Sequence, residues 1–340
     1  MAGVVPRPKF DHLLAMTDQH GTCERACGAE PRPEHGYCTD DMARVLVVAS
    51  REPDADDDVH GLARVAVKFL DSAQSFSGGC RNRLERNGHW TDDFTFEACW
   101  GRCLWGLGTA AAHSDVGLVR SLSVVQFERA ARGRSACPRA MAFAAVGAAE
   151  LLSVEPGHMA ARRLIDDYAA GVAAWSSDAD WPWPEARLTS ANALLPEAMI
   201  AAGDARADSA LCKRGLDLLE WLIDCETVDG HLSVCPAGGW AAGEPRPGFA
   251  QRPVEVAALA DACARAAGVD ASAIWPSTVR LAASWFQGAN DARTPMWDPA
   301  TGGGFDGLRV DGVDRNQGAE STLAVLSTFQ QAHRLVAVTQ

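Results

Sequence analysis

Lysine is almost missing from this chain: Lys9, Lys68 and Lys213 are the only three in 340 residues. Tyrosine is scarcer still, at Tyr37 and Tyr168. Basic charge is therefore nearly all arginine, and acidic residues outnumber it to leave a net charge of −13. Such a surface repels phosphate backbones, which argues against a nucleic-acid partner. No run approaches the ~18 apolar residues of a membrane span. The segment from Met1 to Lys9 holds two prolines and no long apolar stretch. A cytoplasmic protein with no membrane contact is expected. The 11 cysteines include no CxxC pair and are scattered, so they read as reduced thiols that pack like small apolar residues. No metal and no cofactor is expected. Walker A, GxSxG and HExxH patterns are absent, which removes the commonest nucleotide, serine-hydrolase and metalloprotease readings.

What the chain has is helical periodicity. Apolar residues recur at i, i+3, i+4 and i+7. They predict helices near 10–17, 39–50, 59–75, 97–111, 117–132, 138–151, 158–175, 190–202, 207–224, 253–267, 275–288 and 317–334. Breakers at Pro53, Gly78-Gly79, Pro156-Gly157, Pro182, Pro184 and Gly203-Asp204 separate them. Residues 226–252 carry a hairpin signal around Gly230, and the Gly- and Asp-rich stretch 290–316 reads as a turn-rich lobe. No linker divides residues 1–340, so one domain is expected.

Six clusters of polar, aromatic and proline residues punctuate this pattern. They are His35 to Asp41, Phe96 to Arg102, Cys137 to Arg139, Trp181 to Glu185, Gln251 to Glu255, and Asn316 to Glu320. Each precedes or opens a helix, and those are every second helix. Helices that open there are apolar nearly all round, as in Met141 to Val146, and belong in an interior. Alternate helices such as 158–175, with Arg162, Arg163, Asp166 and Asp167, are one-sided and belong outside. The expectation is an all-α (α/α)6 toroid of six helical hairpins, with six inner helix N-termini converging on one mouth.

Each cluster has a plain reading beside a functional one. Thr39 serves as a helix cap and Asp40 and Asp41 complement the dipole, or one aspartate serves a pocket. Asp40 also stands at i+4 from Arg44. Trp100 and Trp105 are core, or Trp100 stacks on a sugar beside Glu97. Two prolines hold Trp181 and Trp183 in an extended loop, as a plug or as a sugar platform. Pro253 fits the first helical position, with Glu255 as a capping residue or a pocket acid. Carboxylates, amides, arginines and tryptophans together suit a carbohydrate. The catalytic candidates are Asp40, Asp41, Glu97, Glu255 and Glu320. The sugar-binding candidates are His35, Tyr37, Trp100, Arg102, Arg139, Trp181, Trp183, Glu185, Arg187, Asn192, Gln251, Asn316 and Gln317.

At these residues the chain resembles a bacterial six-hairpin glycosidase-like family whose members are often labelled glycosyltransferases. The likeness rests on HGYCTDDMAR (35–44), WGRCLWGLG (100–108), PRAMAFA (138–144), WPWPEARLTSAN (181–192), QRPVEVAAL (251–259), MWDPATGGGFDGL (296–308) and NQGAESTLA (316–324). It implies the same toroid and a carbohydrate-related role. The family more often carries Asn where Met42 stands and Asp where Ala98 and Ala250 stand, so two carboxylates of its motifs are missing here.

The leading expectation is a glycoside hydrolase-like enzyme acting on an oligosaccharide or polysaccharide. One carboxylic acid would protonate the leaving oxygen while another carboxylate activates water, roughly 6.5–9.5 Å away if the enzyme inverts. One rival is a non-catalytic glycan-binding partner of a glycosyltransferase, favoured by Ala98 and Ala250. Another is a sugar epimerase or isomerase. That chemistry usually needs a histidine pair in the pocket, and the inner helices offer only His333.

Overall fold

The computed structural model describes residues 4–175 and 180–338. Among the described residues are α1 (Asp11–Ala15), α2 (Thr39–Arg51), α3 (Asp57–Ala73), α4 (Ala98–His113), α5 (Gly117–Ala130) and α6 (Pro138–Val154). The chain continues with α7 (Met159–Ala173), α8 (Leu194–Arg206), α9 (Ser209–Glu226), α10 (Pro253–Ala266), α11 (Ile274–Phe286) and α12 (Ala319–Val338). The even-numbered helices form an inner ring in which each packs on the next and α12 closes on α2. The odd-numbered helices stand outside, each against its hairpin partner, with the short α1 against α12. The architecture is an (α/α)6 toroid.

Residue pattern explains the two rings. In α6, Ala140 through Ala148 are all buried, so no side of that stretch is left for solvent. In α3 the buried set is Val59, Leu62, Ala63, Ala66, Val67, Phe69, Leu70 and Ala73, one face at helical spacing. Asp56 caps α3 by accepting from Val59 N–H at 2.9 Å. Proline opens both α6 and α10 at the position where its missing N–H costs nothing.

Two details differ from the sequence reading and a third agrees with it. The cap of α2 is the Cys38 thiol, which accepts from Asp41 N–H. The Thr39 hydroxyl instead donates to the Arg81 carbonyl at 2.6 Å. Helix α8 starts at Leu194, not near 190, because Ala191 has a φ of 47° and its N–H is taken by Glu255. The expected hairpin at Gly230 is present, with Thr227–Val228 paired to His231–Leu232 across Asp229 and Gly230. Both turn residues have positive φ, the conformation of a tight two-residue hairpin.

The end of the ring away from the mouth is closed by ion pairs. Arg51 of α2 meets Asp261 of α10 at 2.9 Å, and Arg265 of α10 meets Glu150 of α6 at 2.6 Å and Glu197 of α8 at 3.1 Å. Ser327 and Gln331 of α12 donate to Asp261. Five of the six inner helices are thus tied at the floor.

Inner helices α4 and α6 approach closely through glycine. A Cβ on Gly108 would overlap the Gly147 carbonyl, and one on Gly147 would overlap the Leu104 carbonyl. Glycine inside a helix costs roughly 1 kcal/mol relative to alanine, so close approach is what these positions gain. We expect Gly147→Ala to destabilise the protein by at least about 1–3 kcal/mol in denaturant unfolding, through overpacking. Gly61 of α3 has nothing within 4 Å of its missing Cβ. Gly61→Ala should therefore stabilise by about 0.5–1 kcal/mol. Equal stability of the two variants would contradict this account of the α4–α6 contact.

Candidate functional site

Side chains from five inner helices and from the segment before α8 form a belt around the mouth. Between α2 and α12, Arg44 gives one nitrogen to Asp41 at 2.8 Å and the other to Glu320 at 3.0 Å. Between α2 and α4, Arg102 lies 3.1 Å from Asp40. The Arg102 guanidinium also stands 4.7 Å over the Phe143 ring of α6. From α6, Arg139 clamps Glu185 with two hydrogen bonds of 2.8 and 2.6 Å, and reaches Asn192 at 3.2 Å and the Ser190 carbonyl. From α10, Glu255 accepts the N–H groups of Ala191 and Asn192 at 2.6 and 3.2 Å, and the Asn192 side-chain amide at 3.3 Å.

Below this belt runs the central cavity. Its lining includes Arg44, Trp105, Phe143 and Glu320 near the mouth, and Glu197, Asp261 and Ser327 towards the floor. The volume is about 50 Å³, room for a few ordered waters.

Burial dominates the electrostatics of the mouth carboxylates. Asp41 is pushed up to about 6 by burial, with the charges of Glu320 and Asp40 adding and Arg44 opposing. Glu255 is pushed up to about 7 by burial, partly offset by its three donors and by Arg139, while Glu320 raises it further. Behind Glu255 lies Glu226, pushed up to about 8 by burial and then by the Glu255 charge. Glu226 accepts from Cys235 N–H at 3.0 Å.

The sequence candidates fall into two groups. Asp40, Asp41, Arg102, Arg139, Glu185, Asn192, Glu255 and Glu320 meet in the belt. The others stand apart. Trp100 is fully buried and its indole N–H donates to the Ala130 carbonyl, so the expected sugar contact is replaced by a core role. Tyr37 is buried with its hydroxyl on Asp18 at 2.6 Å. Gln251 is fully buried, accepting from Trp285 and donating to Asp291 and the Gly248 carbonyl. Gln317 is held by Thr301, and Asn316 by the Gly28 N–H. Trp183 is buried as well, and neither it nor Trp181 lines the cavity. Glu97 and His35 are exposed, and Arg187 makes an exposed ion pair with Glu244. The expected Asp40–Arg44 pairing is instead Asp41–Arg44, with Asp40 turned to Arg102.

Sequence reading missed Trp105 and Phe143 as wall residues and Arg44 as the central cation. The signal for Arg44 was its i+3 spacing from Asp41. Nothing in the pattern separates Trp105 and Phe143 from ordinary core residues. Among the described residues no group of three or more His, Cys, Asp or Glu has a metal-binding arrangement, and no helix is long and apolar enough to cross a membrane.

The buried acids make stability depend on pH. Glu255 and Glu226 bind protons more tightly when folded than their model value of 4.5. Their stabilising contribution is full below about pH 4.5 and is lost as pH rises through about 7 and 8, because the folded chain then holds charge in dry sites. We expect Tm to fall between pH 5 and 8, and Glu226→Gln to flatten that slope. An unchanged slope in the variant would show that Glu226 is ionised without penalty.

No family model matches the chain, and no curated protein matches it. Solved structures do match in fold. A crystal structure of a sugar epimerase from a ruminal bacterium superposes with a TM-score of 0.71 at 13% identity, covering 97% of each chain. A D-mannose isomerase superposes at 0.70 and 10% identity, covering 96% of this chain and 95% of that one. A variant of an alpha-1,6-mannanase of Salegentibacter sp. HEL1_6, bound to alpha-1,6-mannotetrose, superposes at 0.64 and 10% identity, covering 96% of each. At such identities the likeness is one of fold.

Proposed function

We propose that the chain is a carbohydrate-active enzyme of the glycoside hydrolase type, working at the mouth on a neutral oligosaccharide. The observation that carries this reading is Arg44 held between Asp41 and Glu320. Two carboxylates at the two ends of one guanidinium have oxygens no more than roughly 8 Å apart, a span that covers both glycosidase geometries. Burial keeps a proton on Asp41 up to about pH 6. Glu255 is also raised, but it stands outside the Arg44 bridge and both its oxygens accept backbone N–H groups, whereas the second oxygen of Asp41 faces only the weakly donating Cys38 thiol at 3.1 Å. Asp41 is therefore the acid, donating its proton to the leaving glycosidic oxygen. Glu320, the more exposed partner, is the base that takes a proton from the water attacking the anomeric carbon. The carbon–oxygen bond to the leaving group breaks as the bond to water forms.

Charge pairing supports a neutral substrate. Arg44, Arg102 and Arg139 each already face a carboxylate, so none of these three is free for a phosphate or a uronate. The descriptions of the fold neighbours, as sugar epimerase, mannose isomerase and mannanase, agree with a sugar ligand. Epimerase or isomerase chemistry is disfavoured because no histidine lines the cavity among the described residues. Glycan binding without turnover, as a partner of a glycosyltransferase, is the second reading. It is favoured by Ala98, exposed at the start of α4 where the resembling family more often has Asp.

The test is hydrolysis of a panel of neutral oligosaccharides followed by mass spectrometry of the products. Glu320→Gln and Asp41→Asn should each lower kcat by about 100-fold or more. Activity of the natural chain should fall as pH rises through about 6, as Asp41 loses its proton. Sugar binding without turnover selects the binding role. Turnover that survives both substitutions removes the pair from the chemistry.

A further inference from the structure

Four tryptophans gather on the mouth side of the fourth hairpin, outside the cavity. Trp181 and Trp183 precede α8, Trp221 lies near the end of α9, and Trp240 lies in a short strand paired with Arg187–Leu188. Trp183 and Trp221 stack at 6.0 Å with planes 23° apart. Trp181 meets Trp221 at 5.3 Å and Trp240 at 5.7 Å, both nearly at right angles. Trp183 is buried, and the other three are partly exposed. Soluble proteins bury tryptophan or use it to bind, so a cluster open to solvent calls for an occupant.

Hydrogen bonding fixes these rings. The indole N–H of Trp181 donates to the Glu185 carbonyl and that of Trp240 to the Glu244 carbonyl, each at 2.9 Å. Trp183 donates to the Glu185 carboxylate at 3.3 Å. With these donors satisfied internally, what remains outward is ring surface. Beside it Arg187 and Glu244 form a bidentate pair on the exposed edge, at 2.6 and 3.0 Å. Fixed aromatic surface edged by planar polar groups matches a pyranose, whose apolar face stacks while its hydroxyls reach the charged edge. Because the rings are pre-positioned, little ordering cost is left for binding.

We propose that this surface is a second glycan subsite, holding the outer units of an oligosaccharide whose end sits at the mouth. The proposal rests on the carbohydrate reading of the mouth. Continuity with that site singles out a glycan as the occupant. The Glu185 carboxylate binds Arg139 of the belt on one side and the Trp183 N–H on the other. Four residues separate Trp181 from Glu185, a span of at most roughly 14 Å. A chain whose end sits at the mouth has its other units outside the ring of helices, and past Arg139 these meet the tryptophans. None of the three partly exposed rings lines the cavity. Their effect is therefore on chain length rather than on the bond cleaved.

Calorimetry on the full chain tests this with maltose and isomeric α-1,6-mannobiose against the corresponding six-unit chains. The six-unit ligand should bind at least about tenfold more tightly than the two-unit one, the gain expected from aromatic stacking. Trp240→Ala should collapse that ratio to about twofold or less. Arg187→Ala alters only the exposed edge, so it keeps the test alive if the tryptophan variant fails to fold, and it should also reduce the ratio. Equal affinity for short and long chains in the natural protein overturns the subsite and leaves the mouth reading intact. So does a ratio that survives the substitutions. Absence of binding at every length overturns the mouth reading, and the subsite with it.

Discussion

Ring closure is the constraint on which the rest of this structure depends. An inner helix of the toroid has a neighbour on each side and a hairpin partner behind it, so its middle holds charge only where neighbouring helices meet it, as Arg51, Ser327 and Gln331 meet Asp261. Helix α6 shows the result, with an unbroken buried run from Ala140 to Ala148. The remaining charge is left to the ends. Parallel inner helices put six N-termini at the mouth and six C-termini at the floor, with dipoles aligned. The sequence is sorted accordingly. Asp40, Asp41, Glu255 and Glu320 stand in first turns, and Arg51 and Arg265 in last turns.

The same side chains close the ring and furnish the mouth. Arg44 joins the last inner helix to the first, Arg139 joins α6 to the segment before α8, and Glu255 joins that segment to α10. Helix dipoles at this end favour ionised carboxylates, yet Asp41 and Glu255 are both raised. Loss of hydration outweighs the dipole here, because the dipole acts over one turn at most while burial removes nearly all the water around each group. A toroid mouth can thus hold a protonated acid without an apolar pocket of its own.

Fold and site were legible to different depths. The alternation of apolar helices with one-sided ones, and the prolines at 138 and 253, determined the two rings before any coordinates. Those signals are local and periodic, so a single sequence carries them. Side-chain direction is not carried that way. Asp40 and Asp41 differ by one residue, yet one faces Arg102 and the other Arg44. Trp100 and Trp105 share one motif, yet Trp100 is sealed against Ala130 while Trp105 lines the cavity. The difference is five helical positions, or about 140° around the axis, and only the crossing of α4 with α6 decides which side is inward. Gln251 and Gln317 look like hydroxyl binders in sequence, but tertiary partners use up their hydrogen bonds. Amides beside a pocket and amides holding its loops have the same composition.

A fold shared with proteins of several chemistries leaves the reaction to the titratable groups. Abstracting a proton from a sugar carbon requires a base whose proton affinity suits a weakly acidic C–H, and histidine often fills that role. Four of the nine histidines are engaged elsewhere, His12 with the Gln317 carbonyl, His113 with Glu150 at the floor, His231 with Asp291, and His333 with the Pro6 carbonyl, and among the described residues no histidine lines the cavity. The mouth instead offers carboxylates at two levels of burial with an arginine between them. Carboxylates move protons readily between oxygens, and a glycosidic bond broken by water needs only such transfers. Arg44 bridges the two, with Asp41 buried and Glu320 partly open to solvent.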